Sequence, residues 1–216
     1  WNGSWDWDEV STPILMPVER AGREFNALVH PGRNGYLWTL ERQADRIGFV
    51  DAEPYVYQNA FSSIDPETGR PTYDPEHTPA TGESVDFCPS LWGGKDWPPA
   101  AYNPDTGLVY IPVNENHCGV IEGREVTYMP GSSYTGARTE FTLREPEGNI
   151  GEIQAWNMNT GEEVWSVEFQ SHNWGGILTT GGNLIFSGGT SDRYFRAHDA
   201  SSGEELWRFR TNSGII

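Results

Sequence analysis

Two segments of this chain, AWNMNTGEEVW at residues 155–165 and AHDASSGEELW at residues 197–207, share Ala, Gly-Glu-Glu, an aliphatic residue and Trp at a spacing of 42 residues. Between them, GGILTTGGNLIFSGGTSDRYFRA reads as strand, Gly turn, strand, Asp/Ser turn, strand. Each unit is therefore about four short antiparallel strands, with NTGEE or SSGEE joining the third to the fourth. A period near 42 with four strands per unit is what a β-propeller blade needs. The Trp at a fixed place in each unit is expected to wedge between neighbouring blades, and the Gly to take a turn position with φ > 0.

Weaker copies lie upstream. AAYNPDTGLVYIP at residues 100–112 keeps an Asp-Thr-Gly turn but carries Tyr110 in place of Trp, and residues 35–50 keep only a strand–turn–strand outline. Three to four units fit in 216 residues. Closed propellers have about four to eight blades, so the expectation is a small propeller or part of a large one. Residues 51–86, rich in Pro, Thr, Glu and Tyr, are too long and irregular for a blade turn.

The rest of the composition agrees with an all-β chain. There are 25 Gly, 15 Pro and ten Trp, and helical periodicity is almost absent. With 31 acidic against 14 basic residues the net charge is −17, which excludes nucleic acid as an expected partner. No run approaches the ~20 apolar residues of a membrane span. Trp1 is not an initiator Met, so a mature, trimmed or partial product is expected. Cys88 and Cys118 have no metal-ligand spacing; they read as buried free thiols or as one disulfide worth roughly 3–4 kcal/mol.

The opening WNGSWDWDEV sets Asp6 and Asp8 among tryptophans, with Glu9 following. Carboxylates packed among indoles are costly to desolvate unless something binds them or a reaction needs them.

These elements, in order, resemble the PQQ-dependent (quinoprotein) alcohol dehydrogenases, the family of methanol and ethanol dehydrogenases. The resemblance rests on WDWDEVSTPILM, HPGRNGYLWTL, DPETGRPTYDPE, CPSLWGGKDWPPAAYNPDTGLVYIPVNENHC and the closing repeat, and it covers essentially the whole chain. It implies an eight-bladed propeller with PQQ near the axis, of which this chain is an expected portion. The implied reaction oxidises a primary alcohol to an aldehyde by hydride transfer to metal-bound PQQ, with electrons passed to cytochrome c in the periplasm. A homodimer is compatible with it.

The same resemblance assigns roles by position. Asp6 matches the catalytic aspartate that removes the alcohol proton beside the metal. Asp8 matches the extra carboxylate of lanthanide-dependent members; alternate residues of an extended strand point the same way, so both are expected to reach one ion, a lanthanide or Ca2+. Arg33 matches the arginine at the C5 oxygen region of PQQ. Asp96 stands where methanol dehydrogenases carry a cofactor-contacting Asn, and it needs Lys95 or another donor to offset its repulsion from an anionic cofactor. Trp97 is a candidate pocket wall. Trp174 matches a tryptophan near the PQQ carboxylates, with Gly175 allowing close backbone approach. Cys88 and Cys118 match a disulfide pair of the family. None of the five His is assigned a ligand role.

Other parts of the family's site are absent from the sequence: an adjacent-cysteine pair, a Trp beneath PQQ, and a Glu and an Asn that ligate the metal. Two other propeller readings remain at this point, a non-enzymatic scaffold and a PQQ-dependent sugar dehydrogenase. Asp6, Arg33 and the Cys pair weigh against the scaffold, and CPSLWGGKDW resembles the alcohol branch more than the sugar branch.

Overall fold

A computed structural model describes residues 3–132 and 135–216. It is built from antiparallel sheets. The first contains β1 (Ile14–Arg20), β2 (Arg23–Pro31), β3 (Tyr36–Arg42) and β4 (Ile47–Pro54) in sequence order. The chain then makes a hairpin of β5 (Phe61–Ile64) and β6 (Pro71–Tyr73), a short 3-10 turn at Pro75–His77, and β7 (Ser84–Phe87). Of the long segment 51–86, expected to be more than a blade turn, residues 51–54 complete β4 and the rest has structure of its own.

A second four-stranded sheet is interrupted in sequence. Its first pair is β8 (Ala101–Asn103) and β9 (Leu108–Asn114); its second is β12 (Gly151–Asn157) and β13 (Glu162–Phe169). Between the pairs, β10 (His117–Gly123) and β11 (Ala137–Leu143) leave to form a three-stranded sheet with β7. The last sheet runs β14 (Leu178–Thr180), β15 (Leu184–Ser187), β16 (Tyr194–Asp199) and β17 (Glu205–Arg210) in order.

The 42-residue repeat survives in three dimensions down to its register. Ala155 faces Trp165 and Ala197 faces Trp207, and each pair is followed by an irregularity at the next residue of the inner strand. NTGEE and SSGEE join third to fourth strands, as expected. Gly161 and Gly203 sit at φ +75° and +76°, a conformation that only glycine adopts at little cost.

The Asp-Thr-Gly turn of residues 100–112 behaves differently. It joins β8 to β9, the first and second strands of its sheet, so this segment is no copy of the third-to-fourth hairpin. The three turns are nonetheless alike locally: the N–H of Gly107, Gly161 and Gly203 donates to the carbonyl four residues back, and Asn103, Asn157 and Asp199 each accept a backbone N–H on the side chain. That chemistry specifies a turn and carries no information about which two strands it joins.

The sheets stack face to face. Val18, Ala27, Val29 and Leu37 of the first pack on Val109, Ile111 and Met158 of the second. Tyr110, Ile153 and Ala155 of the second pack on Ile185 of the last and on Ala200, which follows β16. Trp165 seals this seam: its indole N–H donates to the Ala200 carbonyl at 3.2 Å, and a Cβ on Gly203 would lie 2.7 Å from its ring.

Candidate functional site

The candidate site lies where three loops meet at the edge of the first sheet. The β2–β3 loop, HPGRNG, is closed by Gly32 N–H donating to Tyr36 O at 2.8 Å and by Gly35 at φ +90°. Asn34 Oδ1 accepts from Tyr36 N–H and Trp38 Nε1–H, both at 3.2 Å. This projects Arg33, buried at 7% exposure, toward the other two loops.

The second loop runs from Cys88 to Trp97. Cys88 and Cys118 form a disulfide, which ties the start of this loop to β10 and realises the expected pairing. Ser90 N–H donates to His117 O at 2.7 Å, and Gly94 N–H donates to Arg33 O at 3.0 Å. A Cβ at Gly93 would meet the Arg33 backbone at 2.6 Å, so only glycine permits this approach.

The third loop, residues 3–10, is not a strand. Asp6 has φ +62°, and the period-two argument for Asp6 and Asp8 therefore does not hold. A short polar side chain such as Asp tolerates this left-handed conformation at about 1–2 kcal/mol. The loop is held instead by its tryptophans. Trp5, 1% exposed, donates its indole N–H to His77 O at 3.0 Å and stacks on Trp7 and Tyr73. Trp7 donates to Ser90 O at 2.9 Å. Packing thus accounts for both.

Asp6 and Asp8 still meet, around one cavity of about 230 Å³ that they share with Trp5, Trp7 and Asn34. Asp6 also borders a second, of about 450 Å³, beside Leu91 and Ile121. The Asp8 carboxylate is 80% exposed. Arg33 links the three loops: Nη1 donates to Asp8 O at 3.3 Å, Nη2 donates to Leu91 O, and the Asp96 carboxylate stands 3.8 Å from Nη2. Nε of Arg33 is buried without a partner.

Lys95 meets Asp96 differently from the expected charge offset, donating from Nζ to the Asp96 backbone carbonyl at 2.9 Å. Burial, opposed by the charges of Glu9 and Asp96, lowers its pKa to about 8. Trp97 is half-exposed and stacks on Trp174 with ring centres 4.9 Å apart, so Trp174 joins the site through the Asp96–Trp97 step. What presses on Gly175 is the backbone of Gly189, which a Cβ would meet at 2.5 Å.

Three features escaped the sequence reading. Glu9 accepts Arg33 N–H at 2.9 Å and His30 Nε2–H at 2.9 Å; its only sequence signal was its place beside Asp8. Leu91 contributes a backbone carbonyl, for which no side-chain motif exists. His117 and His172, left unassigned, gather with Trp92, and the two imidazole rings lie 4.7 Å apart. Burial, with the neighbouring His172, lowers the His117 pKa to about 4, so it is neutral near pH 7.

A quinone cofactor and a hard cation fit this donor set as far as the chain provides it. The unpartnered Arg33 Nε suits an anionic or carbonyl oxygen, and the two carboxylates supply hard oxygens. Among the described residues no cluster of three His, Cys, Asp or Glu side chains forms a metal site; Asp6 and Asp8 would supply only part of a cation's ligands. Among the described residues, no helix is long and apolar enough to cross a membrane.

Residues 151–215 match the family model for the β-propeller domain of PQQ glucose/ethanol/alcohol dehydrogenases. The whole chain is 36% identical to a quinoprotein ethanol dehydrogenase of Pseudomonas putida, and 99% of it is 37% identical to a lanthanide-dependent methanol dehydrogenase of Methylacidiphilum fumariolicum strain SolV. The chain belongs to the quinoprotein alcohol dehydrogenase family. It spans 35% of the length of each of these two relatives. A europium-containing methanol dehydrogenase superposes on 99% of this quinoprotein chain with a TM-score of 0.90 at 36% identity, the chain covering 37% of that structure. The four-stranded sheets are therefore quinoprotein propeller blades.

Proposed function

We propose that this chain forms part of a PQQ- and metal-dependent alcohol dehydrogenase that oxidises a primary alcohol to an aldehyde and passes the electrons to a cytochrome c in the periplasm. The observation that carries the reading is that Asp6 and Asp8 border one cavity while Arg33, from a loop 25 residues further on, places Nη1 3.3 Å from Asp8 O and 3.7 Å from its carboxylate. Alcohol oxidation removes a proton from the hydroxyl and a hydride from the carbon. Bound PQQ supplies the quinone that takes the hydride, and a hard cation supplies Lewis acidity.

The chain's own residues do the rest. Asp6, exposed at the cavity wall, takes the hydroxyl proton on a carboxylate oxygen. Asp8 adds a second anionic oxygen toward the cation, which suits a trivalent ion, although Ca2+ remains compatible with it. Arg33, fixed by its bonds to Asp8 O and Leu91 O, keeps Nε as an unpaired donor and a fixed positive charge that would stabilise negative charge developing on an acceptor oxygen. Asp96, Trp174 and Gly175 are proposed to border the cofactor, the Trp97–Trp174 stack giving it a rigid wall.

The test is to reconstitute the full-length protein with PQQ and either La3+ or Ca2+, and to assay an alcohol panel with a dye as acceptor. Aldehyde formation from primary alcohols is expected, faster with La3+. Absence of turnover with both metals overturns the reading. Equal activity with Ca2+ in Asp8→Ala removes the lanthanide role of Asp8.

A further inference from the structure

Loop 3–10 bears the two carboxylates yet contributes no strand to any sheet. Its N-terminal half is fixed by two indole N–H groups, Trp5 to His77 O and Trp7 to Ser90 O. Its other half is fixed by a reciprocal pair of bonds with the Arg33 loop. Glu9 Oε1 accepts the Arg33 backbone N–H at 2.9 Å, while the Arg33 guanidinium donates to the Asp8 backbone carbonyl at 3.3 Å. Glu9 thus grips the main chain of Arg33, and Arg33 grips the main chain of Asp8.

The outer oxygen of Glu9 is held in turn. His30, the last but one residue of β2, donates Nε2–H to Glu9 Oε2 at 2.9 Å, so the carboxylate is orientated from a sheet strand. The packing leaves room for little else: a Cβ on Gly32 would lie 3.2 Å from Glu9 Oε1 and 2.8 Å from Asn34 Oδ1. Substituting Gly32 would push the carboxylate off the Arg33 amide.

We infer that Glu9 is a positioning residue, which with His30 registers the loop whose Asp6 and Asp8 border one cavity against the Arg33 loop beside it. This rests on the proposed reading of Asp6 and Asp8 as metal ligands. Glu9 touches neither substrate nor cation; it acts through the main chain of the Arg33 loop. Groups that orientate ligands from behind change metal affinity about 10–100-fold when removed.

The test uses the full-length protein freed of metal, titrated with Tb3+ and read by luminescence sensitised through the neighbouring tryptophans. Amide hydrogen exchange over residues 5–10 and 30–35 is measured on the same samples. Glu9→Ala is expected to weaken Tb3+ binding about tenfold and to raise exchange in both segments. Glu9→Gln keeps an acceptor for the Arg33 N–H and is expected to bind Tb3+ within about threefold of the unsubstituted protein, which separates register from charge. Equal loss in both variants makes Glu9 a charge effect and overturns the inference. Faster exchange in Glu9→Ala with unchanged Tb3+ affinity also overturns it, and leaves the assignment of Asp6 and Asp8 intact. No Tb3+ binding by the unsubstituted protein overturns that assignment and the inference together.

Discussion

The last blade and the three-loop site are built by different rules. In β14–β17 each strand pairs with the next in sequence through a hairpin, and the repeat fixes the Ala197–Trp207 register. At the site, single hydrogen bonds span long stretches of chain: 72 residues from Trp5 to His77, 83 from Trp7 to Ser90 and 58 from Arg33 to Leu91. The blade packs Ile177, Ile185 and Ala200 against its neighbour, leaves Leu206, Trp207 and Phe209 of its outer strand exposed, and spreads its stability over many contacts. The site leaves its key carboxylates exposed and concentrates its precision in a few bonds. Side chains at the loops should therefore govern chemistry at little cost to the fold, and side chains at the blade seams the reverse.

The sharpest break of that contrast is Asp6→Asn. The amide keeps the left-handed backbone, which Asn tolerates, and removes the proposed proton acceptor. The kcat for alcohol oxidation should fall about 10²–10⁴-fold, the range of general-base catalysis, with Tm shifted by less than about 2 °C because the side chain is exposed. A parallel collapse of Tm would place Asp6 with the fold and not with the chemistry.

Trp165→Ala probes the other side. It removes the ring that packs on Gly203 and the N–H bond to Ala200, and should destabilise by about 2–4 kcal/mol, read in a urea melt. The kcat of the protein that stays folded should be unchanged. A proportionate drop in kcat would mean that the blade seam transmits strain to the site.

The same division explains what could be read from the sequence. The blades were legible because a repeat states its own strand order twice and its Trp and Gly positions recur. The Cys88–Cys118 pairing and the list of site residues came from motifs carried by a family resemblance. The turn at residues 100–112 misled because Asx and Gly chemistry defines a bend and not its place in a sheet. Asp6 at φ +62° was invisible, since Asp gives no sign that an extended-looking run is interrupted. Glu9 was passed over because its partners, Arg33 and His30, lie more than 20 residues away, and nothing local marks a carboxylate that grips a distant main chain.

Glu152 tests the contrast from a third position, on a blade strand but with its carboxylate beside a loop-lined cavity. The cavity, of about 540 Å³, lies between the first two sheets and is bordered by Tyr57, Glu115, Arg144, Gln154 and Glu163. Burial raises the Glu152 pKa to about 7, helped by the charges of Glu115, Glu163 and Glu168 and opposed by the hydrogen bond from Gln154. The folded state thus holds a proton more tightly than the unfolded chain, whose carboxyl titrates near 4.5. Stability from this group is complete below pH 4.5 and is lost as the pH rises through about 7. Glu152→Gln mimics the protonated form permanently. It should stabilise by roughly 1–2 kcal/mol at pH 8, discounted for the solvent the side chain still meets, and by nothing at pH 4.5. Melts of both proteins across that interval check the sign. A gain that did not vary with pH would assign the effect to packing, and an unchanged kcat would keep this cavity on the blade side of the division.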